Sequence, residues 1–170
     1  DSASSVQIVE ISAHEQGPVY SSLAVDGIIL PEEPIIITYC DFYQHWNYDQ
    51  FLLKMGNFEG GMAVFKGFHP ASFGGTYYAY IRANTNMEML ELREKQSFTD
   101  QRHEEFASTG VYYFESWGLF KKYASELLKN KIKVGNEYYA SLIYNPMIKD
   151  GKTVALFEVE KFICWGTPED

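Results

Sequence analysis

The hydrophobic pattern of the chain turns on one stretch, Pro34-Ile35-Ile36-Ile37-Thr38-Tyr39-Cys40-Asp41. Three isoleucines and a threonine in succession put β-branched side chains on both faces of an extended segment. That is the habit of a strand covered on both sides, central in a parallel α/β sheet. The run stops at a carboxylate, Asp41, and aromatic and polar residues follow it. Ligands of open α/β sheets gather outside the carboxyl ends of strands, so Asp41 stands where chemistry is usually found. A second reading stands beside the first: Asp41 caps a turn or the helix that follows.

Around this stretch the periodicities alternate. Val6–Ile11 alternates apolar and polar residues and predicts a strand with one buried face. His14-Glu15-Gln16-Gly17-Pro18 predicts a loop, followed by a short helix over Val19–Val25 that stops at Gly27. Asn47 suits a helix N-cap with Gln50 three residues on; Phe51, Leu52 and Met55 make the inner stripe and Gly56 the end. A β-α-β-α order predicts parallel pairing through right-handed crossovers. The middle of the chain reads as strands over Met62–Phe68, Tyr77–Arg82, Met89–Arg93 and Gly110–Phe114, with a hairpin-like turn at Ala83-Asn84-Thr85-Asn86. Ser116 predicts the cap of a helix with Leu119, Phe120, Tyr123, Leu127 and Leu128 on one face. Tyr138–Ile148 predicts a further helix distorted at Pro146, and Val154–Val159 and Phe162–Trp165 close the sheet.

Composition narrows the class. At 170 residues, with 46% hydrophobic and 16% aromatic content, the chain can bury one real core and is too short for two. A net charge of −9 and no Lys/Arg cluster argue against a nucleic-acid partner. No apolar run approaches ~20 residues, so no membrane span is expected, and Asp1-Ser2-Ala3-Ser4-Ser5 lacks the features of a signal peptide. Two cysteines fit a reduced, cytoplasmic protein better than a disulfide scaffold. Cys40 reads as a small buried hydrophobe. Gly166-Thr167-Pro168-Glu169-Asp170 is a helix beginning: Thr at the N-cap, Pro in the first turn, acids near the positive end of the dipole. Residues 1–170 are therefore expected to be a partial domain, an interior fragment of a longer protein.

Seven short stretches carry a resemblance to a known family: Gln16-Gly17-Pro18-Val19-Tyr20-Ser21, Tyr39-Cys40-Asp41, Phe73-Gly74, Arg93-Glu94-Lys95, Thr109-Gly110-Val111-Tyr112, Glu137-Tyr138-Tyr139 and Trp165-Gly166-Thr167-Pro168-Glu169-Asp170. In this order and spacing the chain resembles the sugar-phosphate nucleotidyltransferases, which join a nucleoside triphosphate and a sugar 1-phosphate into a nucleotide-diphosphate sugar with release of pyrophosphate. The family's glycine-rich triphosphate loop would lie upstream of Asp1. The resemblance implies a three-layer α/β/α, Rossmann-like, nucleotide-diphospho-sugar-transferase-like fold with a mixed, mostly parallel sheet. It further implies a role in supplying cell-surface polysaccharide synthesis.

The same resemblance assigns roles. Gly17 lies beside the nucleotide base, Asp41 holds Mg²⁺, and Gly74 offers an amide to the sugar. Glu94 accepts from sugar hydroxyls and Lys95 meets the phosphate. Gly110 lets the backbone pass close to the sugar, and Glu137 reaches a hydroxyl. Each has an ordinary counterpart reading: turn glycines, and an ion pair at a solvated strand end. Many members carry a second metal-binding Asp where this chain has Cys164; a neutral thiol is a poor ligand for hard Mg²⁺, so either Asp41 suffices with phosphates and waters, or Asp170 or another acid substitutes. In-line transfer asks for alignment and charge neutralisation, and no nucleophile paired with a base is evident; Ser108, Thr109 and His103 read as a polar loop. A non-catalytic module that binds a sugar phosphate or nucleotide sugar is the alternative, and a homo-oligomer is left open. A phosphatase centred on Asp41 ranks lower, because position 43 is Tyr where a second acid is needed.

Overall fold

The computed structural model describes residues 6–67 and 75–166. Helix α1 (Pro18–Ser22) runs into a 3-10 turn, Leu23–Val25, and is followed by β1 (Ile35–Thr38) and β2 (Phe42–His45). Next come α2 (Tyr48–Met55), β3 (Gly60–Phe65), β4 (Ala79–Ala83), β5 (Met89–Glu94) and β6 (Phe106–Phe114). Helix α3 (Trp117–Asn130), α4 (Tyr144–Lys149), β7 (Val154–Glu158) and β8 (Lys161–Cys164) complete the order.

Strand β6 is the centre of the main sheet, whose order is β5-β4-β6-β3-β7. Its eight residues Ala107–Phe114 are all buried. Along one edge β6 pairs with β3; along the other it pairs first with β4, through Phe106 and Ala107, and then with β1, through Val111 to Phe114. Between the two partners that edge is open, and the opening is what builds the site. Side chains of β3 and β6 alternate between two cores. Met62, Val64, Tyr112 and Phe114 face the helices α3 and α4. Ala63, Phe65, Val111 and Tyr113 face α2 and the hairpin-like ribbon of β2 with β8. Helices thus cover both faces of a mixed sheet, the expected three-layer α/β/α class. Both faces are apolar because both are buried.

Several sequence-based expectations need correction. The Ile35–Cys40 run is neither central nor parallel: β1 is antiparallel to β6, and Ile35, Ile36 and Ile37 are only half-buried. A β-branched run identifies a strand but not its neighbours, because pairing is settled by distant segments. Antiparallel pairing also prevails more widely; among the strands of the described residues β3 with β7 is the one parallel pair. Val6–Ile11 forms no strand, and Val6 and Ile8 are 87% and 84% exposed, since alternation buries nothing without a partner edge. Residues 161–164 do not close the main sheet but pair with β2. Cys40 is exposed rather than buried, because β1 ends at Thr38 and the chain bends away toward Asp41. Tyr138 and Tyr139 are not helical; a 3-10 turn, Ala140–Ile143, leads into α4, where Pro146 occupies the first turn and needs no amide donor.

The expected helix caps and the turn at Asn84 hold. Asn47 Oδ1 accepts from Gln50 N at 2.9 Å, and Phe51 and Met55 are fully buried beneath α2, whereas Leu52, expected on the same inner stripe, is 40% exposed because it turns off the buried face. Ser116 Oγ accepts from Leu119 N at 3.1 Å, capping a helix that buries Phe120, Tyr123 and Leu127. Asn84 Oδ1 accepts from the amides of Asn86 and Glu88 and organises the turn between β4 and β5. No helix among the described residues is long and apolar enough to cross a membrane. Cys40 and Cys164 form no disulfide.

Candidate active site

The cleft begins with an irregularity in β6. Between Met62↔Tyr112 and Val64↔Ser108 the β3–β6 register shifts, so β6 bulges at residues 109–111. Gly110 sits in the bulge at φ +92°, and a Cβ there would lie 3.0 Å from the Tyr39 ring. Only glycine meets both demands without strain. Gly110 O accepts from Tyr39 N at 3.1 Å, which carries β1's pairing one residue past its end and aims the chain at Asp41.

A cavity of about 250 Å³ opens here, lined by Asp41, Glu94, Lys95, Ser108, Thr109, Gly110, Tyr139 and Cys164 together with an aromatic wall. Asp41 stands on one side, just past the carboxyl end of β1. On the other side stand Glu94, the last residue of β5, and Lys95 after it. The β2–β8 ribbon roofs the cleft: Phe162 stacks on Phe65 at 4.5 Å and meets Tyr78 edge-on at 6.1 Å. Trp165 N donates to Asp41 O at 2.8 Å, and a Cβ on Gly166 would fall 2.7 Å from Asp41 Oδ2. Gly166 therefore leaves the carboxylate room that any other residue would take.

The polar groups are not equivalent. Glu94 accepts from Ser141 Oγ, and burial pushes its carboxyl up to about 7, against the lowering effect of Ser141 and Lys95. Near neutrality it both accepts and donates. Lys95 adopts a left-handed backbone, φ +54°, held by Lys95 N donating to Tyr78 O at 3.0 Å. Its Nζ donates to Tyr139 Oη at 2.5 Å and lies 3.9 Å from Glu137 Oε2, while Tyr139 in turn donates to Glu137. Ser108 and Thr109 are not a polar loop but buried residues of β6. Ser108 Oγ donates to Tyr112 Oη at 3.2 Å and accepts from Gly110 N; Thr109 Oγ1 donates to Ala63 O. Their hydroxyls are engaged structurally, and His103 lies exposed in the 3-10 turn Arg102–Glu104. Among the described residues of the cleft, these hydroxyls are not hydrogen-bonded to a His, Asp or Glu that could act as their base.

Of the residues singled out in the sequence, Asp41, Glu94, Lys95 and Gly110 meet at one cleft. Gly17 and Glu137 lie one step behind it. Gly17, at φ +83°, caps α1, and a Cβ on it would fall 2.8 Å from Glu137 Cβ. The close contact by itself demands glycine. Gly74 and Asp170 lie outside the described residues. Tyr139 stood in the Glu137-Tyr138-Tyr139 stretch without a role and Ser141 was not singled out; reading the segment as helical from Tyr138 hid that Tyr139, two residues on from Glu137 in an extended stretch, shares its side. No group of three His, Cys, Asp or Glu able to hold a metal occurs among the described residues. Mg²⁺ does not need one, since it takes one or two carboxylates and completes its shell with phosphate oxygens and water. Asp41, exposed at a strand end with space kept by Gly166, fits that mode.

No protein-family model matches this chain, and no curated protein matches it in sequence. Solved structures do. The nucleoside-diphosphate-sugar pyrophosphorylase from Vibrio cholerae RC9 superposes with a TM-score of 0.70 at 17% identity, over 94% of this chain and 64% of that one. A candidate glucose-1-phosphate thymidylyltransferase from Bacillus anthracis, in complex with a sucrose, gives 0.68 at 13% identity, over 94% and 59%. The inositol-1-phosphate CTP transferase from T. maritima gives 0.61 at 16% identity, over 91% and 57%. The chain thus has the nucleotide-diphospho-sugar-transferase-like fold that its short motifs implied. It spans less than two thirds of the length of each of these structures.

Proposed function

We propose that the full-length protein is a sugar-1-phosphate nucleotidyltransferase, in which a sugar 1-phosphate oxygen attacks the α-phosphorus of a nucleoside triphosphate and pyrophosphate leaves. The observation that carries this reading is that Asp41, Glu94, Lys95 and Gly110 line one cavity at the open edge of β6. Such chemistry needs charge neutralisation and alignment rather than a protein nucleophile, and the cleft offers the carboxylate of Asp41 and the ammonium of Lys95 for it. Asp41 would hold Mg²⁺, whose contribution is to neutralise phosphate charge. Lys95 would meet the sugar phosphate, and Glu94, able to accept and donate near pH 7, would orient a sugar hydroxyl. The reading belongs to soluble nucleotide-sugar supply, for which cell-surface polysaccharide is the proposed destination.

The test is pyrophosphate release by the full-length protein with a panel of triphosphates and sugar 1-phosphates. Metal-dependent release with at least one pair is expected, abolished by Asp41→Asn with the fold retained. Asn-variant turnover within about tenfold of the parent, ~1.4 kcal/mol of barrier, would remove Asp41 from the metal site. A second reading, a non-catalytic sugar-phosphate or nucleotide-sugar binding module, draws on Cys164 at the position implied for a second acid. Saturable nucleotide-sugar binding with no pyrophosphate release from any pair would favour it.

A further inference from the structure

Lysine on a solvated strand end ordinarily sweeps a large volume, and holding it still costs rotamer entropy. Lys95 is not left to sweep. Its ammonium donates to Tyr139 Oη, lies 4.6 Å from the centroid of the Tyr139 ring, and stands 3.9 Å from Glu137 Oε2. Tyr139 is itself a rigid anchor. It is 9% exposed, belongs to the main core, and spends its own proton on Glu137. Burial and the Glu137 carboxylate push its hydroxyl well above the ordinary tyrosine value, so it stays a donor.

The backbone carrying Glu137 and Tyr139 is also tied. Glu137 exchanges two amide–carbonyl bonds with Val134 at 3.1 Å each. Tyr138 N donates to Gln16 O at 2.9 Å, and Val19 N donates to Tyr138 O at 3.0 Å, zipping the segment to the loop of Gly17. An exposed cation is thereby referred, through one tyrosine, to the fixed core.

We propose that Tyr139 is a positioning residue for Lys95. It holds the ammonium at the cleft by a hydrogen bond and a cation–π contact, while Glu137 is a counter-charge that an incoming phosphate displaces. The arrangement pre-orders the cation before substrate arrives, so that little side-chain entropy remains to be lost on binding. The phosphate-binding half of this inference rests on the transferase reading above; the tether itself does not.

Two measurements on the full-length protein separate them. The first is the rate at which an amine-acylating reagent modifies Lys95 without substrates, read by peptide mass spectrometry. Tyr139→Phe keeps the ring and removes the hydroxyl, and a several-fold faster modification is expected with an unchanged melting temperature for the remaining fold. The second is steady-state kinetics, where Tyr139→Phe is expected to raise the sugar 1-phosphate KM by about tenfold and leave the triphosphate KM in place. An unchanged Lys95 modification rate overturns the tether. Faster modification with neither KM moved upholds the tether and overturns Lys95 as the phosphate group. Should Tyr139→Phe fail to fold, Tyr139→Met, which fills most of the buried volume and removes both hydroxyl and ring, is read in the same way: faster modification supports the tether and an unchanged rate overturns it.

Discussion

Glu94 and Lys95 are sequence neighbours with opposite surroundings, and this decides how each responds to change. Lys95 reaches the cleft from an exposed position, so Lys95→Ala is expected to leave stability within about 0.5 kcal/mol and to weaken sugar 1-phosphate use far more than triphosphate use. Equal losses for both substrates in steady-state kinetics would make it a structural ion pair instead. Glu94 is raised from the ordinary 4.5 to about 7 by burial, beside Lys95, Glu137 and Tyr112. The folded protein then binds more protons than the unfolded chain between these values. The Glu94 contribution to stability is therefore full below about 4.5 and falls as pH rises through about 7, by something on the order of 1–3 kcal/mol. Denaturant titrations at pH 5 and pH 8 should show a smaller loss on alkalinisation in Glu94→Gln than in the parent. Parallel slopes would mean the carboxyl titrates normally.

At the scale of elements, the bulge in β6 is where fold and site coincide. A regular β6 would pair with one continuous neighbour and leave no gap; the displaced register at Gly110 lets β4 and β1 share one edge, with the cleft between them. Gly110→Ala combines a φ of +92° with a Cβ at 3.0 Å from the Tyr39 ring. A destabilisation on the order of 1–3 kcal/mol is expected, together with a shift of Tyr39 that nearby substitutions at Thr38 would not produce. Calorimetry and the near-ultraviolet signal check it; a melting temperature equal to the parent's would show the bulge to be relaxed. The helix caps answer more simply. Ser116→Ala removes the acceptor of Leu119 N and should lower stability by about 1 kcal/mol, measured by urea titration.

For the molecule as a whole, Tyr144 joins the helical layer to the sheet. It is fully buried, stacks on Phe114 at 5.1 Å, and its hydroxyl reaches the carbonyl oxygens of Gly61 at 2.6 Å and Tyr113 at 3.1 Å. Those carbonyls belong to β3 and β6, so one side chain from α4 ties two adjacent strands. Tyr144→Phe keeps the ring and strands the carbonyls, and should lower the unfolding free energy by about 1–3 kcal/mol with an unchanged denaturant slope. A neutral result would place the stability of this layer in packing alone. The other face relies on aromatic contact, with Trp46, Phe51 and Phe157 grouped around α2 and ring centroids 4.7–6.1 Å apart.

How much was legible in the residues follows from the range of the forces involved. Caps at Asn47 and Ser116, the buried stripe of α3, the Asn84 turn and the existence of most strands are local, written in spacings of two to four residues, and the sequence by itself determined them. The short motifs around Asp41, Glu94-Lys95 and Gly110 likewise pointed to residues that share one cleft. Which strands pair was not local. The three isoleucines of β1 meet Tyr112 to Phe114, 75 to 79 residues away along the chain, and nothing in their own composition distinguishes an antiparallel flank of β6 from a central parallel strand. Val6–Ile11 shows the converse, a strand pattern with no edge to satisfy it. The partnership of Lys95 with Tyr139 is of the same kind. Hydrogen bonds between side chains forty-four positions apart exist only once β5 and the segment before α4 are packed on one sheet, and that packing is what the tertiary structure alone decided.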